Sequence, residues 1–308
     1  MNHLTLRGTH REMGFQWGAR LAERGLRLLD HVPFPLEAER RAFAAACRPA
    51  YEQHFPAALE ELEGLAAGQN CRQEDLETVL FTTYAPPPAC GCSCLAVSNG
   101  NGVFFGRNSD FLTALEPDYT HVTYGFSDRA IPFTGNTTSF VQMEDAVNAR
   151  GLAIGLTSVY TPRPRPGLNA GMVLRLLAET CAAVPEALAR LRALPLASCQ
   201  TLTLADAAGT LPWRSAARRG CGWSVPARRD PSSAPRISFT RIWRSRCRRG
   251  WTPGGRRSGT TRCAGCWSGR GRRWLFPTSR PYWRGERAFY ASMTGLRDGT
   301  PSGPRPAT

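Results

Sequence analysis

The strongest constraint on folding is a change of composition near Leu211. Residues 211–308 contain three Leu, two Ile and one Val, but seven of the eight Trp in the chain. A segment with so little aliphatic surface cannot offset the entropy that a chain loses when it orders around a core. The sequence therefore predicts that residues 1–210 hold the core. It also predicts that 211–308, rich in Arg, Gly, Ser and Trp, are disordered or mistranslated.

Charge divides the chain at the same place. Residues 1–210 carry 17 Arg and 21 Asp or Glu, a net charge of −4, whereas residues 211–308 carry 22 Arg and three acids, a net charge of +19. The overall formal charge of +15 would by itself suggest a polyanionic partner. The whole excess of positive charge lies in the last third of the chain. Nucleic-acid binding through a basic tail is therefore a hypothesis, but it ranks below an enzyme and below an inactive product.

Two stretches of the last third indicate a reading-frame error. Back-translated from the third base of each codon, residues 289–303 permit LCQYDRATGRDTVW, and residues 234–243 permit a segment that begins ATN. Both readings restore ordinary patterning, and both use the same shifted frame. We therefore predict a frame change near residue 210. An inactive, truncated or frame-shifted product is accordingly the main alternative to an active enzyme.

The first 210 residues have a regular order of helix and strand patterns. Apolar residues recur at helical spacing early in the chain, whereas short apolar runs follow the prolines at 86–88. The turn Asn99-Gly100-Asn101-Gly102 predicts a β-hairpin. Helices are predicted at 11–30, 36–68 and, with a break near Pro185, 170–194; further strands are predicted at 121–127, 139–144, 151–160 and 199–209. This order predicts a layered α+β sandwich rather than a parallel βαβ fold.

Two general features bear on location. No stretch reaches the roughly 18 apolar residues that a membrane span needs, and the N-terminus lacks the pattern of a secretory signal. Eleven cysteines are an odd number without a repeating framework, so reduced thiols are expected. We predict a cytoplasmic protein.

Three cysteines, Cys90, Cys92 and Cys94, lie directly before the hairpin. A cysteine nucleophile needs a group that takes its proton and a group that stabilises its thiolate. A cut just before the cysteine would free an α-amine with a pKa of about 8, which is close enough to neutrality to act as the base. The small Gly91, the strand start and the hairpin favour a cut between Gly91 and Cys92.

The stretch GCSCLAVSNGNGVFFGRNSDF, residues 91–111, resembles two linked motifs of a known enzyme family. The family pattern is Gly-Cys-[Ser/Thr], a strand, a glycine-containing turn, and then Gly-[Arg/Gln]-Asn-x-Asp-[Phe/Trp]. It is typical of the C45 peptidase-like, acyl-CoA:6-aminopenicillanic acid acyltransferase group, whose relatives include choloylglycine hydrolase and acid ceramidase. In that acyltransferase the cysteine precedes the second motif by fourteen positions, a spacing that Cys92 and Gly106 reproduce.

Weaker similarity to the family extends over residues 8–18, 148–158 and 198–209. The resemblance implies an N-terminal nucleophile hydrolase with an αββα sandwich, made as a precursor that cuts itself before the cysteine. Because the last third is aberrant, we expect this sandwich to be incomplete.

The resemblance also implies a division of the chain into three parts. Residues 1–91 would be a helical, propeptide-like segment, and residues 92–210 would be the first part of the catalytic core. Residues 211–308 would be the aberrant remainder.

The resemblance implies roles for individual residues. Cys92 would be the nucleophile, with Arg107 beside its thiolate, and Asp110 would accept a hydrogen bond from the α-ammonium group or orient the cysteine. Relatives have asparagines where this chain has Thr157 and Thr201, and at least one of those asparagines helps to hold the oxyanion. Loss of one such donor can cost about a hundredfold in rate.

The reaction implied is acyl transfer through a cysteine thioester. If water attacks the thioester, the net reaction is hydrolysis of a linear amide. If a small amine attacks it, the protein is an acyltransferase, for which acyl-CoA is a possible co-substrate. The reaction requires no metal and no cofactor. Small-molecule substrates are the expected partners, without a membrane.

Other interpretations of the same residues stay open. Cys92 alone could be a buried structural thiol, and Arg107 with Asp110 could be a surface ion pair. Cys90, Cys92 and Cys94 could share a zinc ion with a fourth ligand, although the spacing is not that of a zinc knuckle. A dyad of Cys92 with His121 is the alternative to the amine base.

Overall fold

A computed structural model describes nine stretches of the chain, which are residues 2–32, 34–83, 91–110, 118–158, 164–198, 200–211, 213–216, 236–241 and 291–296. All of them belong to one compact unit that comprises residues 1–243 and 288–308. The second unit, residues 244–287, lies outside the described residues. Since most of 211–308 lies outside them too, its disorder or mistranslation stays a prediction.

The described residues form six α-helices and one short 3-10 helix. They are α1 (His10–Glu23), the 3-10 helix (Leu28–His31), α2 (Ala38–His54), α3 (Pro56–Gln69), α4 (Gln73–Thr82), α5 (Ala170–Thr180) and α6 (Val184–Ala193). The single helix predicted over 36–68 is in fact two helices, because Pro56 starts α3 at a position where proline is well tolerated. The break predicted near Pro185 is confirmed, since that proline lies in the first turn of α6.

The strands form two sheets. The strands are β1 (Asn2–Gly8), β2 (Gly91–Asn99), β3 (Gly102–Asp110), β4 (Thr120–Phe126), β5 (Phe133–Thr137), β6 (Asp145–Asn148), β7 (Ala153–Ser158), β8 (Gln200–Ala205), β9 (Trp213–Ala216), β10 (Arg236–Arg241) and β11 (Ala291–Leu296). The larger sheet has the order β1-β4-β5-β6-β7-β8-β9, and the smaller has the order β10-β2-β3-β11.

The strand prediction differs from the structure in several places, and β5 and β6 were not among the predicted strands. The strand β1 was not predicted, and it pairs in parallel with β4 at the edge of the larger sheet. The strand predicted over 139–144 is instead a turn, in which Phe140 has a left-handed φ of 52°. Its apolar alternation arises because Val141 and Met143 are buried against the helical side of the core.

Glycines bring the helices α1 and α3 into close contact. A Cβ atom added at Gly14 would lie 2.0 Å from the carbonyl oxygen of Glu61, and one at Gly64 would lie 2.0 Å from that of Arg11. The two backbones therefore touch, which only residues without a side chain permit. This contact fixes the N-terminal helices against the core.

The two sheets stack face to face beneath the helices. Alternation along β7 points Ile154 and Leu156 towards the helical core, whereas Ala153 lies in a small second core with Cys94 and Phe105 of the hairpin. The predicted α+β class with stacked sheets is confirmed. None of the helices in the described stretches is long and apolar enough to pass through a membrane.

Candidate active site

The hairpin of β2 and β3 positions the predicted nucleophile. The two strands pair antiparallel, with Cys92 opposite Ser109 and Cys94 opposite Arg107. The predicted turn is confirmed: the Asn99 side chain accepts a hydrogen bond from the backbone of Asn101. Because side chains alternate along a strand, all four of the paired residues project towards the larger sheet.

Arg107 lies directly beside the Cys92 sulfur. Its Nη2 is 3.4 Å from Sγ, and both residues are only 5 % exposed. Its Nε donates a 2.8 Å hydrogen bond to the carbonyl oxygen of Leu156 on β7. Burial alone would lower the pKa of Arg107, but attraction by Cys92, Glu144 and Asp145 raises it well above the usual value. The guanidinium therefore remains charged beside the thiol.

The residue that holds Arg107 in place is Glu144, which the sequence did not reveal. Its Oε2 accepts hydrogen bonds of 2.9 Å from Arg107 Nη1 and 2.9 Å from the Ser109 hydroxyl. Its Oε1 accepts a 2.5 Å bond from the Thr138 hydroxyl. Removing one partner of such a buried ion pair is commonly costly, because the other charge is left uncompensated.

The neighbouring Asp145 is a second carboxylate of the site. Its Oδ1 accepts hydrogen bonds from the backbone and side-chain nitrogens of Asn136, at 3.1 and 2.7 Å. Its Oδ2 lies 3.8 Å from Arg107 Nη1. Sequence reasoning missed both acids: Glu144 is the last residue of the segment mistaken for a strand, and Asp145 is the first residue of β6, which was not predicted. An acidic pair at the start of a true strand, in an otherwise apolar stretch, was the available signal.

The backbone of the predicted cleavage site is part of the sheet. Gly91 is the first residue of β2 and pairs with Asp110, the last residue of β3. The Asp110 side chain lies outside what the structure describes, so its role beside Cys92 stays a prediction.

The two predicted oxyanion residues lie side by side. Thr157 on β7 pairs with Thr201 on β8, and the Thr157 hydroxyl donates a 3.4 Å hydrogen bond to the Thr201 carbonyl oxygen. Thr157 lies on the same face of β7 as Gly155, where an added Cβ would lie 2.5 Å from Cys94 Sγ. Thr157 therefore projects towards the hairpin, with its proton engaged by the backbone.

The remaining candidates have other surroundings. Burial raises the pKa of the Cys94 thiol to about 12, although the charge of Arg107 opposes the shift, and this makes Cys94 a poor nucleophile. His121 hydrogen-bonds to Asn136 and Thr134. Cys90 lies outside the described residues, so the zinc alternative that includes it is not tested.

Comparison with known proteins links part of the chain to one family. Residues 97–218 match the family "Acyl-coenzyme A:6-aminopenicillanic acid acyl-transferase". This segment contains Arg107, Glu144, Thr157 and Thr201, whereas Cys92 lies five residues before it. Among curated proteins there is no significant match.

Two solved structures are similar to the chain. An N-acylethanolamine-hydrolyzing acid amidase ortholog from Caenorhabditis elegans is 16% identical, with a TM-score of 0.36; 49% of this chain and 69% of that chain are covered. Penicillin V acylase from Agrobacterium tumefaciens is 15% identical, with a TM-score of 0.34; 44% of this chain and 49% of that chain are covered. The chain thus spans about half the length of the penicillin V acylase.

The matched segment includes residues 106–111, the second of the two linked motifs on which the resemblance was based. It also includes the strands that face the hairpin across the two sheets, β7 and β8. Over residues 97–218 the chain is therefore similar to the acyl-coenzyme A:6-aminopenicillanic acid acyl-transferase family.

Proposed function

We propose that the protein is a self-processing cysteine amide hydrolase or acyltransferase, with Cys92 as its nucleophile. The observation that carries this proposal is the buried contact of 3.4 Å between Cys92 Sγ and Arg107 Nη2. A fixed guanidinium favours the thiolate, which is the reactive form of cysteine. The family match over residues 97–218 supports the same class of chemistry.

The first step of the proposed reaction makes an acyl-enzyme. The Cys92 thiolate attacks the carbonyl carbon of a linear amide, and a carbon–sulfur bond forms. The α-ammonium group of Cys92, freed by the cut after Gly91, gives a proton to the leaving nitrogen as the carbon–nitrogen bond breaks. A free amine leaves, and the acyl group remains on sulfur as a thioester.

The second step decides between hydrolysis and transfer. The free α-amine takes a proton from water or from an acceptor amine, whose oxygen or nitrogen then attacks the thioester carbon. The carbon–sulfur bond breaks, and the product is a carboxylic acid or a new amide. When acyl-CoA is the donor in place of the amide, the first leaving group is a thiol.

The hydrogen-bond donor to the oxyanion is the part of the site in which this chain departs from the family pattern, with Thr157 and Thr201 in place of asparagines. A hydroxyl at Thr157 can serve only if it turns away from the Thr201 carbonyl oxygen, to which it now donates. Backbone N–H groups can supply the same stabilisation, as they do in many acyl-transfer enzymes.

An inactive, frame-shifted product is the second candidate. One observation favours it: β10 and β11, which complete the hairpin sheet, lie inside the stretches 234–243 and 289–303 that a shifted frame would re-pattern. The coding DNA, read in all three frames across codons 205–308, tests this candidate.

Trapping of the thioester tests the proposed function. The protein is mixed with N-acyl amides and acyl-CoAs of varied chain length, quenched in acid and digested. We expect the acyl mass on the peptide that contains Cys92, and its removal by hydroxylamine at neutral pH. Cys71, a partly exposed thiol, is the internal control. Labelling of Cys71 and Cys92 alike, or of neither, contradicts the proposal.

A further inference from the structure

Asp145 has an unusual environment for a buried carboxylate. It is 7 % exposed, and its Oδ2 has no hydrogen-bond partner among the described residues. A buried polar atom without a partner forfeits the hydrogen bonds that it would make with water. Natural proteins keep few such atoms, and each one calls for an explanation.

The unpartnered oxygen lies on the Arg107 side of the carboxylate. The other oxygen, Oδ1, is held by both nitrogens of Asn136, and this leaves Oδ2 at 3.8 Å from Arg107 Nη1. That distance is too long for a hydrogen bond but close enough for a strong interaction of charges. Asp145 therefore acts on Arg107 through its charge and adds little to its position.

Glu144 differs from Asp145 in this respect. It contacts Arg107 Nη1 at 2.9 Å, and the hydroxyls of Ser109 and Thr138 saturate the rest of its carboxylate. Glu144 thus fixes the guanidinium in space, whereas Asp145 adds a second negative charge beside the same nitrogen.

We propose that Asp145 controls the ionisation of Cys92 through Arg107, which the two residues share. This inference rests on the proposed function for the role of Cys92. Asp145 would act on Cys92 indirectly, through the charge of Arg107, and would not touch the substrate.

The physical basis is competition for one cation. Arg107 lies between Cys92 Sγ and Asp145 Oδ2, at 3.4 and 3.8 Å. With Asp145 ionised, the guanidinium is already shared by two carboxylates, and a thiolate adds a third negative charge. With Asp145 protonated, more of the positive charge is available to sulfur. The two groups therefore titrate as a coupled pair, in which a proton on one favours the loss of a proton from the other.

The groups that face Asp145 agree with this coupling. They come from the preceding residue, Glu144, and from Arg107 on β3, Asn136 on β5 and Cys94 on β2. Burial raises the pKa of Asp145, although Arg107 and Asn136 oppose the shift. The carboxylate can therefore hold a proton at a higher pH than an exposed aspartate.

The test is the pH profile of Cys92 alkylation by iodoacetamide, followed by mass analysis of the Cys92 peptide. Asp145→Asn removes the charge and keeps an oxygen for Asn136. We expect the midpoint of the profile to move to lower pH, so that Cys92 reacts about tenfold faster below the wild-type midpoint, equivalent to one pKa unit. Asp30→Asn removes an exposed carboxylate and should leave the profile unchanged.

Two further variants separate charge from structure. Thr138→Val loosens Glu144, and through it Arg107, without changing any charge, so it should leave the midpoint unmoved or move it to higher pH, the direction opposite to that expected for Asp145→Asn. Asp145→Ala removes the charge together with the Asn136 bonds, so it must move the midpoint in the same direction as Asp145→Asn. An unmoved midpoint in both Asp145 variants, or a shift to higher pH, overturns the inference.

The measurement also distinguishes this inference from the proposed function. Alkylation needs only the thiol and no turnover. A wild-type protein that is cut before Cys92 but has the same profile as Asp145→Asn removes the role of Asp145 alone. A wild-type protein that is uncut, with Cys92 no more reactive than Cys71, removes the proposed function and this inference with it.

Discussion

At the scale of single residues, Arg107 organises the candidate site. It connects the Cys92 sulfur, the Leu156 carbonyl oxygen and the Glu144 carboxylate by three nitrogens of one planar group. A lysine carries the same charge on a single nitrogen and cannot span the three positions. Charge and geometry can therefore be separated by substitution.

Replacement of Arg107 should slow the reaction of Cys92. We expect Arg107→Gln to reduce the initial rate of alkylation at pH 7 by about tenfold or more, because the thiolate loses the guanidinium that contacts it. Arg107→Lys should give an intermediate rate. Arg129→Gln, which removes an exposed arginine, is the control. An unchanged rate in Arg107→Gln would show that the contact has no influence on the thiol.

The sequence predicted part of this site and not the rest. Cys92 and Arg107 stand in short motifs of fixed spacing, and a hairpin with a recognisable turn converts that spacing into proximity. Asp145 on β6, and Glu144 directly before it, reach Arg107 from the side of the larger sheet. Contacts between sheets depend on stacking, which no local pattern reports, so neither residue could be placed.

At the scale of elements, local signals again decided what could be predicted. The hairpin and the break before α6 have turn or proline signals, and both were predicted. The strand β1 pairs with β4 over more than 100 residues of sequence, with Asn2 opposite Thr120. Parallel pairing of that kind requires distant chain segments to meet, and the sequence near β1 carries no sign of its partner.

The contact of α1 with α3 gives a direct test of the fold. We expect Gly64→Ala to lower the free energy of unfolding by about 3 kcal/mol, since the added Cβ would lie 2.0 Å from the backbone oxygen of Arg11 and force the helices apart. Gly100→Ala adds the same group where no atom lies within 4 Å, and it should change little. Urea unfolding of both variants measures the difference. Equal stability of the two variants would contradict the close contact.

At the scale of the whole molecule, a buried ionic cluster joins the two sides of the proposed cut. Arg175 on α5 pairs with Glu61 on α3 and with Glu179, and Glu179 Oε2 lies 3.0 Å from His10 Nε2 on α1. Tyr124 on β4 donates a hydrogen bond to Glu61. All five residues are buried.

This cluster predicts that the fragments stay together after cleavage. Separation would expose the apolar core and leave buried charges without partners, which is costly. Burial alone would lower the pKa of His10, but Glu179 outweighs it and raises the pKa. Protonated His10 therefore stabilises the assembly at low pH, and that contribution declines as the pH rises through the raised pKa.

The central claim is that Cys92 becomes the first residue of a new chain. Mass analysis of the purified protein under denaturing conditions tests it most directly. We predict two fragments, residues 1–91 and 92–308, which elute together in native gel filtration, whereas Cys92→Ala remains one intact chain. Active protein in which Cys92 is still joined to Gly91 would contradict the account, because the nucleophile would then lack its base.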